Sequence, residues 1–233
     1  MAKSATRKPK RPDLPEEVAA IRKEIRSFFN TKDEKGNRLG GNRCGVYAFY
    51  DYDGEPIYIG QTYEGLGGRI GRHLTNKRTD AVAMNVLDPF EVAEIRVWPI
   101  DLSRLNKKRK CDYLDRAEFT LFQRVIAESR LRAVLNEKHP AAKELVELPK
   151  PYTRRIIPDE FYSTRKHPDV RLARRANTIA NLARVISERK VSFGLRRTLL
   201  TQARRLEKLA ADRLRDFEHS SKDEKDSRCE NES

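Results

Sequence analysis

Two tyrosines, Tyr47 and Tyr58, sit in short hydrophobic runs, each next to a glycine-bearing motif, with ten residues between them. After them come Arg69 and His73, four positions apart in "GGRIGRHL", and much later Glu118 in "DRAEFTLF". Residues at i and i+4 of a helix share one face, so this arginine and histidine point together. A guanidinium offers a planar fork of donors to phosphate oxygens, and an imidazole titrates near neutral pH. Glu118 falls at helical spacing among Leu114, Ala117 and Leu121, and a carboxylate on an apolar stripe wants a partner or a metal ion. Each residue also has an ordinary reading. Aromatic side chains commonly pair across strands, and Arg69, Arg72 and His73 read equally well as solvent-facing helix residues.

The elements that must position these residues are legible in the hydrophobic pattern. "DLPEEVAAIRKEIRSFF" reads as a helix with Asp13 as its cap, two glutamates in its first turn, and Val18, Ile21, Ile25 and Phe28 or Phe29 as its stripe. "CGVYAFYDYDGEPIYIG" reads as two strands about an Asp-Gly turn. "GGRIGRHLTNK" is helical, "PFEVAEIRVWPI" alternates as a strand, and residues 112–130 form a helix with Leu114, Ala117, Leu121 and Val125 buried. Helix, strand, strand, helix, strand, helix implies a small α/β domain, a sheet of about three strands flanked by helices.

Five prolines punctuate residues 138–168, which read as a linker or wrapping arm. Two long helical patterns follow, joined by "KVSFG". Ala176, Ile179, Ala183 and Ile186 share a face in the first; Leu199, Ala203, Leu206, Ala210 and Leu214 do in the second, so a helical hairpin is expected over 169–217. Residues 1–12 read as a disordered basic arm and 218–233 as a disordered tail, leaving 13–137 as the folded domain.

Charge narrows the partner. The chain of 233 residues has 49 Lys and Arg against 35 Asp and Glu, a formal net charge of +14. Such a balance favours polyanions, and the excess is clustered, because residues 165–217 hold 15 Lys or Arg and 5 Asp or Glu. Three separated cysteines build neither a disulfide framework nor a zinc site, which suits a reducing cytoplasm. No apolar run approaches the roughly 20 residues needed to cross a bilayer.

Gly45-Val46-Tyr47 and Tyr58-Ile59-Gly60 resemble the two-part signature of the GIY-YIG endonuclease family. The resemblance continues through Arg69 and His73 on the following helix, Glu118 on a later helix and Asn136 near the domain's end, and it covers roughly residues 43–137. Val46 stands in place of the usual isoleucine, and the Glu118-to-Asn136 spacing is long. The resemblance implies a nuclease domain with Tyr47, Tyr58, Arg69, His73, Glu118 and Asn136 as catalytic residues, and Glu118 as ligand to Mg²⁺, for which Mn²⁺ could substitute. One carboxylate with waters and phosphate oxygens is a normal way to hold that ion. Tyr47 is the general base by resemblance and His73 the alternative; the sequence leaves the two open.

The implied substrate is DNA, with RNA left open, and the implied activity is metal-dependent hydrolysis in restriction, phage defence or repair. A non-catalytic nucleic-acid-binding module retaining the fold is the alternative. Arg72, Lys77, Lys150, Tyr152, Arg154, Arg155, Arg174 and Arg175 are the residues expected to grip the backbone. The leucine face of residues 199–214 would suit a homodimer, while a monomer would suit a nicking role.

Overall fold

The computed structural model describes residues 14–74 and 86–230, with side chains through Glu218. The basic arm, Asp13 and Lys77 lie outside the described residues. The chain opens with α1 (Glu16–Asn30), whose Glu16 and Glu17 complement the positive end of the helix dipole, and which buries Ile21, Ile25, Phe28 and Phe29. Next come β1 (Gly45–Tyr50), β2 (Pro56–Thr62), α2 (Leu66–Leu74), β3 (Glu94–Pro99) and α3 (Lys107–Glu128). They are followed by β4 (Tyr152–Arg155), α4 (Asp159–Lys166), α5 (Pro168–Glu188) and α6 (Phe193–Glu230).

The α/β class holds, with one strand more than expected. The sheet runs β2-β1-β3-β4 and every pair is antiparallel. The fourth strand comes from the segment read as a linker. "YTRR" carries no apolar alternation, but it pairs Arg154 with Ile95 and Tyr152 with Val97 at a sheet edge, where charged side chains are tolerated. At the opposite edge, the Leu135 N–H donates to the Ile57 carbonyl at 2.7 Å and covers β2.

Strand alternation divides the core between two faces. Tyr47, Phe49, Ile57, Ile95 and Val97 pack with α1, α2 and the C-terminal helices. Val46, Ala48, Tyr50, Ile59 and Trp98 pack beneath Ala117, Leu121 and Val125 of α3. The stripe expected for α3 is therefore the buried one, joined by Thr120.

Helices α5 and α6 form the expected hairpin, but its inward face differs from the apolar stripes. Ala176, Ala183, Ala203, Ala210 and Leu214 are exposed. The buried residues of α5 are Arg171, Arg175, Leu182 and Val185, and those of α6 include Leu195, Thr198, Thr201, Gln202, Arg205 and Leu209. Nη2 of Arg171, Arg175 and Arg205 reach Oδ2 of Asp51, in the β1–β2 turn, at 3.3, 3.0 and 2.5 Å. Glu91 accepts from Arg175 Nε at 2.9 Å, and Asp53 pairs with Arg171 at 2.7 Å. Three guanidiniums thus meet three carboxylates, and the hairpin docks on the domain through this charge cluster as well as through Leu182 and Leu195 in the core. The segment after Phe217, read as a disordered tail, continues α6 to Glu230; it holds no Gly or Pro to stop the helix.

Candidate active site

The two motif glycines are placed by crowding. A Cβ on Gly60 would sit 2.5 Å from the Tyr47 hydroxyl, and one on Gly45 would sit 2.6 Å from the Trp98 carbonyl. Tyr47 and Gly60 are partners across β1 and β2, so the phenol lies directly over the residue that has no side chain. Tyr47 is wholly buried, and its hydroxyl is 2.9 Å from Nε2 of His73, on α2 and itself buried. Tyr58, half-buried on the same face, has its ring centroid 5.1 Å from that of His73 and 6.4 Å from that of Tyr47.

The α2 helix is aimed by its first turn. The N–H groups of Gly65 and Leu66 donate to the carbonyls of Arg43 and Asn42 at 3.0 Å each, fixing the helix against the start of β1. That brings Arg69 beside Tyr47. Burial pushes the Tyr47 phenol well above its ordinary pKa, nearby Tyr58 adds to the rise, and the Arg69 guanidinium pulls it partly back. Nε of Arg69 is buried without a hydrogen-bond partner. An unsatisfied buried donor of this kind is worth about 1–3 kcal/mol of lost stability, and an anionic oxygen at the site would satisfy it.

Glu118 arrives from α3, on the other side of edge strand β2. Nε2 of Gln61, the residue after Gly60, donates to Glu118 Oε2 at 3.1 Å and to Asp115 Oδ1 at 2.8 Å. Asp115 and Glu118 are three positions apart and share a helix face. Burial raises the Glu118 pKa and Asp115 raises it further, while the Gln61 hydrogen bond and Arg69 oppose the rise. Glu118 also acts electrostatically on Tyr47, so the carboxylate, guanidinium and phenol form one electrostatic unit.

Among the described residues, no group of three or more His, Cys, Asp and Glu side chains could hold a metal ion. The carboxylate pair still fits a hard divalent cation. Neither Glu118 nor Asp115 forms a salt bridge among the described residues, and their oxygens are the donor type that Mg²⁺ takes alongside water.

Five of the six expected catalytic residues therefore converge: Tyr47, Tyr58, Arg69, His73 and Glu118. Asn136 bonds to the backbone of β2. Its Nδ2 donates to the Ile59 carbonyl at 2.9 Å and its Oδ1 accepts the Ile59 N–H at 3.0 Å. Both ends of the amide thus brace β2 between Tyr58 and Gly60, which makes Asn136 a positioning residue. Gln61 and Asp115 escaped the sequence reading. Asp115 was visible as a second acid one turn before Glu118; Gln61 carried no signal beyond its place after Gly60.

The residues expected to grip nucleic acid divide. Lys150 is exposed, and Tyr152 is half-buried with its hydroxyl accepting the Glu34 N–H at 3.1 Å. Arg72 pairs with Glu64 at 2.9 Å, Arg154 with Glu24 at 3.9 Å, and Arg155 with Asp159 while covering the Tyr162 ring. Arg174 pairs with Asp88 at 2.7 Å. Arg175 is corrected outright, because it is 5% exposed and committed to Asp51 and Glu91. Burial against acids leaves it no free face for a phosphate.

No helix among the described residues is long and apolar enough to cross a membrane. Residues 43–101 match the family model described as the GIY-YIG catalytic domain. The match takes in Tyr47, Tyr58, Arg69 and His73 and ends before Glu118 and Asn136. No curated protein and no solved structure matches the chain.

Proposed function

With a GIY-YIG catalytic domain at residues 43–101 supporting a nuclease-type function, we propose that this protein is a metal-dependent endonuclease that hydrolyses DNA phosphodiester bonds. The observation that carries the reading is the convergence of Tyr47, His73, Arg69 and Glu118 around one edge of the sheet.

Arg69, with a buried donor to satisfy, takes the non-bridging oxygens of the scissile phosphate. Tyr47 need not ionise to act as base, which matters because its burial opposes ionisation. Its oxygen accepts a proton from the attacking water as its own proton passes to His73 Nε2, 2.9 Å away. The water oxygen bonds to phosphorus, the bond to the leaving oxygen breaks, and His73 holds the proton gained. Tyr58, half-exposed beside this pair, steadies the phosphate. Glu118, with Asp115 and Gln61 setting its orientation, would hold Mg²⁺, or Mn²⁺ in its place; the ion, when bound, neutralises charge on the phosphate and the leaving oxygen. Free Cys44 and Cys111 suit work in a reducing cytoplasm.

Plasmid nicking or linearisation with added Mg²⁺, beside a chelator control and a parallel RNA substrate, tests the reading. Cleavage that needs the metal and is lost in Arg69→Ala and Glu118→Ala supports it. Equal cleavage by the variants, or none by the parent on any substrate form, removes it.

A further inference from the structure

The structure contains a large groove that the catalytic residues do not occupy. It holds about 1180 Å³ and lies between the loop of residues 33–44, the start of α3 and the approach to β4. Arg38, Arg43, Lys107, Lys110 and Lys150 line it, together with Tyr63. None of these five cations forms an ion pair among the described residues. Lys35 is the neutralised member of the wall, held by Asp101 at 2.6 Å. Tyr63 is 59% exposed, an aromatic face open to solvent.

The charge of the C-terminal hairpin is organised the opposite way. Arg171, Arg174, Arg175, Arg205, Arg213 and Arg215 all pair with acids of the same chain. The hairpin therefore turns three of its arginines, Arg171, Arg175 and Arg205, inward, whereas the five cations of the groove, whose wall also holds Asp33 and Glu34, stay outside any ion pair among the described residues. Clustered, unpaired cations in a concave surface concentrate field and attract polyanions.

The groove shares helix α3 with the active site. Lys107 and Cys111, both in its wall, lie on the stripe of α3 that continues at four- and three-residue steps to Asp115 and Glu118. Lys107 to Glu118 spans eleven residues, about 16 Å at the rise of an α-helix. Arg43 supplies the carbonyl that anchors the loop before α2, the helix carrying Arg69 and His73.

We infer that this groove is the track for the sugar-phosphate backbone of the DNA flanking the scissile bond, with Arg43, Lys107, Lys110 and Lys150 on its phosphates and Tyr63 against a sugar or base. The inference rests on the nuclease reading of the adjoining site and gives that site its substrate path. Cation contacts to phosphate carry affinity and salt dependence, and an aromatic face stacks bases without regard to sequence.

Cys111 provides a reporter, since it is exposed in the groove wall while Cys44 is buried. The full chain carrying Cys229→Ser and Glu118→Ala would be alkylated with and without a 30-base-pair duplex. Bound duplex should slow alkylation of Cys111 at least fivefold. In the same background, Lys107→Ser with Lys110→Ser should weaken duplex binding and reduce the slope of log K against log salt by about 2, near 0.9 per lost contact. The melting temperature should not fall, because those cations sit at the positive end of a helix dipole. Arg184→Ser, on the exposed side of the hairpin, should leave the slope unchanged. Saturating duplex without protection of Cys111, or an unchanged slope in the lysine variant, overturns the groove assignment while leaving the nuclease reading standing if the parent still cuts. A chain that neither binds nor cuts DNA overturns both.

Discussion

The hydroxyl of Tyr47 lies 2.9 Å from Nε2 of His73, and neither side chain is more than 6% exposed. A buried phenol bonded to an imidazole has one outlet for its proton, and that is the basis of the relay proposed above. Tyr47→Phe keeps the ring and removes the outlet. Its cleavage rate should fall by 10² to 10⁴, the range of general-base catalysis, and loss of the buried hydrogen bond to His73 should cost about 1–3 kcal/mol of stability. His73→Gln, which retains hydrogen bonding and loses the proton sink, should fall in the same direction. Single-turnover rates for both variants check this; a Tyr47→Phe enzyme within threefold of the parent would remove Tyr47 from proton transfer.

Gly60 is required by the same phenol. An added methyl would stand 2.5 Å from the Tyr47 oxygen, and the buried ring has no open space into which to swing. Gly60→Ala should cost about 1–3 kcal/mol by overpacking and should lose activity as Tyr47→Phe does. Denaturant unfolding and a cleavage assay on one preparation read both effects.

Asp51 joins the catalytic domain to the hairpin, since Arg171, Arg175 and Arg205 share its Oδ2. Removing the acid leaves buried guanidiniums short of a counter-charge. Asp51→Ala should destabilise by about 3–5 kcal/mol, lowering the melting temperature on the order of 10 °C for a chain of this size. A loss below about 1 kcal/mol in urea would show that the arginines find water or other acids.

Asn136 braces β2 through both ends of its amide. Asn136→Ala leaves the Ile59 N–H and carbonyl without those partners, at about 1–3 kcal/mol for each buried group. Assayed well below its lowered melting temperature, the variant should keep kcat within a fewfold of the parent. A large fall in kcat in the fully folded variant would return Asn136 to the chemistry.

Much of the site was written in local pattern. The Asp-Gly turn between two strands, the helical spacing of Arg69 and His73, and the apolar stripe interrupted by Glu118 each survive in the fold, because each depends on neighbours in sequence. What the sequence hid depends on distant partners. Strand β4 is a polar edge, so no alternation marks it. The inward face of the hairpin includes Arg171, Arg175 and Arg205, and an arginine reads as a surface residue until Asp51 and Glu91 are brought to it. The apolar stripes followed hydrophobic spacing to a face that is mostly exposed, and the same error placed Arg175 on nucleic acid. Gln61 likewise gains meaning only when α3 delivers Asp115 and Glu118 to it.

The central claim is that Glu118 carries the metal-dependent step, and Glu118→Gln isolates it by keeping shape and hydrogen bonding while removing charge. Burial raises the folded pKa of Glu118, so the ionised, metal-holding form is lost as pH falls through a value above the roughly 4.3 of a free glutamate. The decisive measurement is the single-turnover rate of DNA cleavage at saturating Mg²⁺ across pH, parent against Glu118→Gln. The parent rate should fall as pH falls, because Glu118 must stay ionised and His73 must stay free to take the relay proton, and the variant should be at least 10³-fold slower at every pH with an unchanged fold. A variant within tenfold of the parent would contradict it.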